Sequence, residues 1–449
     1  MRHASLQLPL IAPWIAHPHA VELAAMSALL DAQPVLSERV QQDLEAGCPM
    51  NAQTGRPGLS GEQTLRLLIV RQLTDWTYAE LAFHLADSLT YRAFCRLSAL
   101  VPTPSKSALA ATLRRVSPRT LAALNDHLVT SATARAVEPA KTVRMDATVV
   151  PVAIHPPTDS SLLLDAVRVL ERLLRRTEGA AGFTAYHRHL RRAKRRAMEI
   201  AHLSSQATAR RRACYRELVR LTEATASYAT CALVHLEGLP ATALRHRLRR
   251  QFMTVLPHVA QMIDQTTRRV VHGEVVPAAE KLVSLFETHA DVLVKERRVT
   301  YYGHKVFLTT GRSGLILDCA IPQGNPGDVT WAVPLVRRHE RLFGCAPRQV
   351  SMDGAFASKE NLADLKSLGV ADVCFAKKRG LAVLDMVRSQ WVYDKLRRFR
   401  AGIESGISLL KRVFGLARCV WKGPVAFHAY VRTAILAANL LLLARARIP

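Results

Sequence analysis

The sequence predicts a mixed α/β protein: an all-helical N-terminal part, then a layer of strands and helices, with a large basic helical block set into that layer. Three observations carry this. Residues 20–135 break into short helix-like segments that begin at capping residues. Runs rich in β-branched residues come only from Lys141 onward, at "KTVRMDATVVPVAI", "RVTYYGHKVFLTT", "LILDCAI", "RQVSMDGAFAS" and "VADVCFA". Between the first and second of these lies a stretch, 158–298, of helical pattern and heavy positive charge.

In chain order, "LSGEQTLRLLIVRQL" offers Ser60 as an N-cap with Gln63 three residues on, and "WTYAELAFHL" repeats the device with Thr77 and Glu80. In each, the hydroxyl and the longer side chain satisfy each other's orphan backbone N–H groups. With "SLTYRAFCRL" and "PSKSALAATLRRV" they suggest a compact module of helix-turn-helix type, although an ordinary helical bundle without DNA contact reads the same way. A strand follows at Lys141, then the basic helices "LLLDAVRVLERLLRR", "YHRHLRRAKRRAMEIAH", "ARRRACYRELVRLTEA" and "TALRHRLRRQFMTVL". "GRSG" turns one strand into the next as a hairpin. "PGDVTWAVPLVRRHERLF" reads as a helix, and "SKENLADLKSLG" as another with Ser358 as cap and Gly369 as stop. A long helix is expected from about Lys395, and an apolar helix closes the chain.

Composition narrows the function. The 449 residues carry 62 Lys and Arg against 36 Asp and Glu, a formal charge of +26 with a pI near 10.4, while 49% are hydrophobic. That is a globular composition with room for two or three domains and a large core. A compact chain so charged repels itself unless a polyanion shares its surface. Nucleic acid is the leading partner, and no window argues for an anionic membrane. The N-terminal "MRHASLQLPLIAPWIAHPHA" has prolines inside its apolar run and does not read as a signal peptide. "TAILAANLLLLA" is too short to span a bilayer and reads as a buried helix. None of the eight cysteines forms a C-x-x-C pair, so they are expected as reduced, packed side chains in a cytoplasmic protein.

The chemistry gathers at three acids. In "FRAGIESGISLLKRVFGLAR", Arg400, Glu404, Ile407 and Lys411 share one helical face, beside an apolar stripe of Ile403, Ile407, Leu410 and Phe414. Glu404 therefore lies at the edge of the buried face. A surface ion pair with Arg400 would explain it blandly. However, "VRMDATV" and "VSMDGAF" each place an aspartate, Asp146 and Asp353, toward the end of an apolar strand and before a small residue. Two aspartates and a glutamate are the oxygen ligands that a hard divalent cation takes. Two Mg²⁺ ions among them could activate a water and stabilise the leaving oxygen of a phosphodiester. His304 and Lys305 in "YYGHKV" are candidates to touch DNA, or form a strand-edge pair. His155 and Asp159 could shape the loop after Asp146, or Asp159 or Ser160 could cap a helix. Trp421 and Lys422 could meet a base or a phosphate, or pack.

At these residues the sequence resembles the DDE transposases of bacterial insertion sequences. Their last motif is Tyr, two residues, Arg, three residues, Glu, six residues, Lys. Arg400, Glu404 and Lys411 match it, and the tyrosine position holds Arg397, a departure. "TGRPGLSGEQTLRLLIVRQL", "IHPPTDSSLLLDAVRVLERLL", "GNPGD", "SMDGAFASKENL" and "VCFAKKRG" look like further family segments in the family's order. The resemblance implies an α/β fold with a ribonuclease-H-like mixed-sheet catalytic core, in three parts. Residues 1–135 would be a helical DNA-binding domain and 136–449 the catalytic domain, interrupted by the basic helical insertion 158–298. It implies Asp146, Asp353 and Glu404 as catalytic residues and ligands of two Mg²⁺ ions, with Mn²⁺ able to substitute. Arg397, Arg400, Lys411, Lys305 and His304 would be DNA contacts. The implied partner is double-stranded DNA, both element ends and target, handled by a homodimer or higher synaptic oligomer at the bacterial nucleoid, with no membrane. The activity implied is cleavage at terminal inverted repeats and strand transfer. A ribonuclease-H-like nuclease that does not join, and a transposase-derived DNA-binding protein without chemistry, remain the alternatives.

Overall fold

A computed structural model of the chain describes residues 17–46, 58–98, 100–204, 206–295 and 299–447. Most of the N-terminal stretch and Cys48 lie outside these residues. The chain forms two compact units, one of residues 1–151 and 304–449, the other of residues 152–303.

The first unit begins with seven helices: α1 (Pro18–Asp31), α2 (Val35–Ala46), α3 (Gly61–Thr74), α4 (Tyr78–Asp87), α5 (Leu89–Phe94), α6 (Lys106–Leu113) and α7 (Pro118–Ala134). The two expected capping boxes are present, Ser60 with Gln63 and Thr77 with Glu80. Arg66, buried on α3, pairs with Asp31 at 2.6 Å and Glu62 at 3.0 Å, which ties α1 to α3.

Six strands follow: β1 (Thr142–Pro151), β2 (Asp291–Lys295), β3 (Val299–Thr310), β4 (Ile316–Ala320), β5 (Gln349–Met352) and β6 (Asp372–Phe375). The sheet order is β2-β3-β1-β5-β6, with β4 also beside β3. β1, β5 and β6 run parallel, while β3 is antiparallel to β4, its hairpin partner, and to β2. The sheet is therefore mixed. Its parallel strands have the near-continuous apolar character of strands covered on both faces: Val143, Met145, Val350, Met352, Val373 and Phe375 are all fully buried.

The second unit holds α8 (Asp159–Ala181), α9 (Leu190–His202), α10 (Thr208–Glu237) and α11 (Ala243–Thr266) around their own core, which includes Leu163, Leu170, Leu218 and Phe252. Thr158, not Asp159 or Ser160, caps α8, and Asp159 instead pairs with Arg269 at 3.0 Å. His155 bonds Asp165 at 3.0 Å. The helical pattern expected to residue 298 ends earlier. "DVLVK" alternates β-branched residues, and it pairs as β2 with the start of β3.

In the first unit, α12 (Ala332–Phe343), α13 (Lys359–Ser367), α14 (Val383–Met386), α15 (Gln390–Arg412) and α16 (Pro424–Arg445) complete the fold. α15 begins before Lys395 because Ser389 accepts from the Val392 N–H and caps it there. α16 is long and apolar enough to cross a bilayer by length and composition alone, but most of it is buried in this unit against α7, α1 and α3. Among the described residues the cysteines are free, and five of them are buried.

Candidate active site

Two four-residue strings meet in the sheet. Val143 pairs with Val350, Arg144 with Ser351 and Met145 with Met352. One further step sets Asp146 beside Asp353, on neighbouring strands about 4.8 Å apart. Asp146 lies in the middle of β1, not toward its end as the apolar pattern suggests, because β1 runs on beside β3 after β5 has stopped. Asp353 opens a short 3₁₀ turn, yet its side chain makes no capping hydrogen bond. It is not a cap aspartate. The small residue after it is required: a Cβ on Gly354 would stand 2.5 Å from the Lys377 Cβ.

α15 carries the third acid and is docked by the same strands. Residues two positions before the aspartates share their face of the sheet. Arg144 donates to the Phe399 carbonyl at 2.9 Å and Ser351 to the Leu396 carbonyl at 3.0 Å. Cys374, paired with Ser351 on β6, reaches the Tyr393 carbonyl at 3.8 Å. One cross-strand row thus grips three carbonyls spaced at three-residue intervals along the helix. Arg144 also donates to the Thr310 hydroxyl at 2.9 Å and lies over the Phe399 ring. A Cβ on Gly402 would stand 2.0 Å from the Arg144 Nη1, so only glycine leaves the guanidinium its place.

This docking brings the Arg400 guanidinium to all three acids. Its Nη2 lies 3.1 Å from Asp146 Oδ2 and 3.2 Å from Asp353 Oδ1, and its Nη1 lies 3.8 Å from Glu404 Oε1. The pair with Glu404 is the longest of the three. Arg400 is thus more than the surface partner of its helical neighbour. Asp146 also accepts the Ala147 N–H at 2.8 Å. Burial pushes its carboxyl up to about 6, against the pull of that N–H and of Arg400, and the nearby Asp353 and Asp328 carboxylates push the same way.

Three carboxylates around one guanidinium leave negative charge uncompensated. All are acceptor-only oxygens when ionised, and Glu404 is 71% exposed. The donor set suits a hard divalent cation. In the conformation described, no three acidic, histidine or cysteine side chains among the described residues stand together closely enough to hold a metal directly. Arg400 stands between them, and its Nε is buried without a hydrogen-bond partner.

The expected DNA contacts divide. Arg397 is exposed on α15, and Lys411 is half-buried further along it. His304 is buried, with its ring edge-on to Phe427 at 4.6 Å, so it is not at the surface where a DNA backbone would meet it. Lys305 donates to the Pro326 carbonyl at 2.7 Å and to Asp328 at 2.9 Å, and so holds the "GNPGD" loop near Asp146. Trp421 packs edge-on to Tyr430 and beside the Arg71 guanidinium. Sequence reasoning missed Arg144, Ser351 and Asp328. The signal for the first two was a polar residue on the aspartate face of an otherwise apolar strand.

Two transposase families match parts of the chain. The family described as a transposase DDE domain matches residues 263–440, a span that holds Asp353, Arg400, Glu404 and Lys411 but not Asp146. The family described as a transposase domain (DUF772) matches residues 14–115, the N-terminal helices. No curated protein and no solved structure matches the chain.

Proposed function

Because the chain belongs to the DDE transposases of insertion sequences, we propose that it binds the terminal inverted repeats of its element, cuts DNA there and joins the freed 3′-OH to target DNA. The observation that carries this reading is the convergence of Asp146, Asp353 and Glu404 on one guanidinium. In this reading the sheet is a ribonuclease-H-like core, interrupted by the basic helices between its first strand and the rest. Asp146, Asp353 and Glu404 hold the divalent ions, two Mg²⁺ or Mn²⁺. Metal bound there supplies Lewis acidity toward a phosphodiester and lowers the pKa of an attacking water. The protein's own groups position the DNA. Arg400 turns from the carboxylates to a phosphate once their charge is met elsewhere, and Lys411 holds a second phosphate on the same helical face. Arg397 adds a contact from the exposed side. Lys305 acts indirectly, through the loop it holds. The N-terminal helices of residues 1–135 and the insertion 158–298 supply the wider grip on the duplex. In the insertion Arg172, Arg247 and Arg250 line a groove of about 380 Å³ that no acidic residue lines. A synaptic assembly of at least two copies would bring two element ends together.

The test separates metal from phosphate roles on α15. Glu404→Gln keeps size and loses the charge that holds a cation. It should abolish cleavage at every Mg²⁺ concentration the protein tolerates, while band-shift affinity for a terminal-repeat duplex persists. Lys411→Ala should weaken engagement of the DNA end, with cleavage partly recovered at higher DNA concentration or lower salt, since a lost phosphate contact is a binding deficit. If Glu404→Gln cleaves at the wild-type rate, Glu404 is only a surface ion-pair partner of Arg400. Joined products from pre-cleaved ends distinguish a transposase from a nuclease.

A further inference from the structure

A second basic site stands in the first unit, at the opposite end of the parallel strands from the three acids. A pocket of about 300 Å³ opens where β1 and β5 begin, lined by Lys141, Arg312, Arg348, Arg388, Trp391 and Lys395 among others. The five cations come from four separate segments: the entry to β1, the β3–β4 turn, the entry to β5 and the start of α15. All five are exposed. Two acids lie beside them, Glu138 and Asp372, and both are almost wholly buried. Glu138 is turned inward, where it accepts from the Ala140 and Ser313 backbone N–H groups at 2.9 and 2.7 Å and from the Ser313 hydroxyl at 2.6 Å. Asp372 accepts from Gln349 Nε2 at 2.8 Å and the Arg388 backbone N–H at 3.2 Å, with the Arg388 Nε at 3.9 Å. Lys141, Arg312 and Arg348 form no ion pair with a carboxylate among the described residues. Beside them Trp391 is 63% exposed, with the Lys395 ammonium 4.8 Å from its ring centroid. From Thr142 to Asp146 the strand advances about 13 Å, so the pocket is separate from the acids.

Ordinary surface charge does not account for this combination. Like charges gathered in a concavity repel one another and call for an anion. A large indole left in water on the same rim calls for a flat apolar group. Phosphates and a base supply both together. A duplex offers only base edges in its grooves, whereas an unpaired base offers its face for stacking. The pocket is also too small to admit a duplex and has the size of a small-ligand site. We propose that it is a second nucleic-acid site, which takes a single strand, its phosphates against Lys141, Arg312, Arg348, Arg388 and Lys395 and one unpaired base on Trp391. A strand end that peels from a nicked duplex has this chemistry. The site takes DNA as its ligand from the family reading but needs none of the three acids.

The experiment titrates the full chain, in chelator, with a single strand of about 12 nucleotides and follows tryptophan fluorescence. Wild type should show quenching that Trp391→Phe lacks, and Trp391→Ala should bind about ten-fold more weakly. Arg312→Ala combined with Arg348→Ala should flatten the log–log salt dependence by about 1.4, the share of two single-strand phosphate contacts. Trp391→Phe retains an aromatic ring at an exposed position, so it keeps the test valid should the arginine pair fail to fold. Equal quenching in Trp391→Phe overturns the proposal. So does equal quenching by a blunt duplex of the same length, or displacement of the strand by inorganic tripolyphosphate at the same phosphate concentration. A variant with Asp146→Asn, Asp353→Asn and Glu404→Gln should lose cleavage and keep the Trp391 quenching. Retained cleavage in that variant would overturn the catalytic reading alone, and absent quenching in wild type would overturn the strand site alone.

Discussion

Asp146 shows how one residue can be costly to the fold and useful to the site. Its carboxyl is raised to about 6 chiefly by burial, and one shared guanidinium does not offset that. The folded value lies above the unfolded one, so between about pH 4 and pH 6 the folded state binds the extra proton. Stability contributed by the neutral form is present below that window and is lost as pH rises through it. Asp146→Asn fixes the group in its neutral shape. In chelator, thermal unfolding of Asp146→Asn and wild type should coincide near pH 4, and by pH 7.5 the variant should be the more stable by about 2 kcal/mol. A wild type that gains stability on the variant as pH rises would show Asp146 held as a well-paired carboxylate. The residue types of this site were legible in the chain: acids in "VRMD" and "VSMD" and an acid among bases on a helix. The role of Arg400 was not, because its two shorter partners are remote in sequence.

At the scale of elements, α15 depends on a glycine placed for packing. Gly402→Ala gains about 1 kcal/mol of helix propensity, but its Cβ would stand 2.0 Å from the Arg144 Nη1. Arg144 can yield only by giving up hydrogen bonds to Thr310 and Phe399, together worth about 2 to 3 kcal/mol. The net expectation is destabilisation by about 1 to 2 kcal/mol, with cleavage reduced because the helix that carries Arg400 and Glu404 shifts. Gly406, one turn on, meets nothing within 4 Å. Gly406→Ala should stabilise by about 0.5 to 1 kcal/mol. Chemical denaturation of the two variants side by side checks the pair; equal effects would mean that Arg144 does not pin the helix. Element starts were readable at the explicit caps Ser60, Thr77 and Ser358, while at α8 the cap fell one residue before the expected pair, at Thr158. The start of α15 was placed late because "QWVY" is aromatic and β-branched and hides the cap at Ser389. β2 was read as helix because it follows a long helical block and is only five residues long.

For the molecule as a whole, charge makes the sharpest expectation. With a formal charge of +26, binding to duplex DNA should weaken with salt at a log–log slope of about −5 or steeper, as for six or more phosphate contacts. A slope near zero in a filter-binding or fluorescence titration would remove the electrostatic basis of the DNA reading. Within the second unit many arginines do find acids, such as Arg192 with Glu217 and Arg249 with Glu237. Others, including Arg172, Arg247 and Arg250, have no carboxylate partner among the described residues. The excess that composition shows is therefore carried partly by identifiable side chains.

What the sequence determined by itself is local. Helix period, caps, β-branched runs and the stripe beside Glu404 depend on residues within about four positions of one another, and their physics acts in any context. Composition pointed to nucleic acid as the leading class of partner, because total charge does not depend on the fold. The tertiary structure alone decided the parallel register that sets Asp146 beside Asp353, since that pairing spans the whole basic insertion and nothing local specifies it. It decided that Arg144, Ser351 and Cys374 grip one helix in a row, and that Arg400 reaches both aspartates at closer range than its helical neighbour Glu404. It also decided that His304 is enclosed while Trp391 stands in water. Burial is a property of what packs against a residue, and the partners here come from segments far apart in the chain.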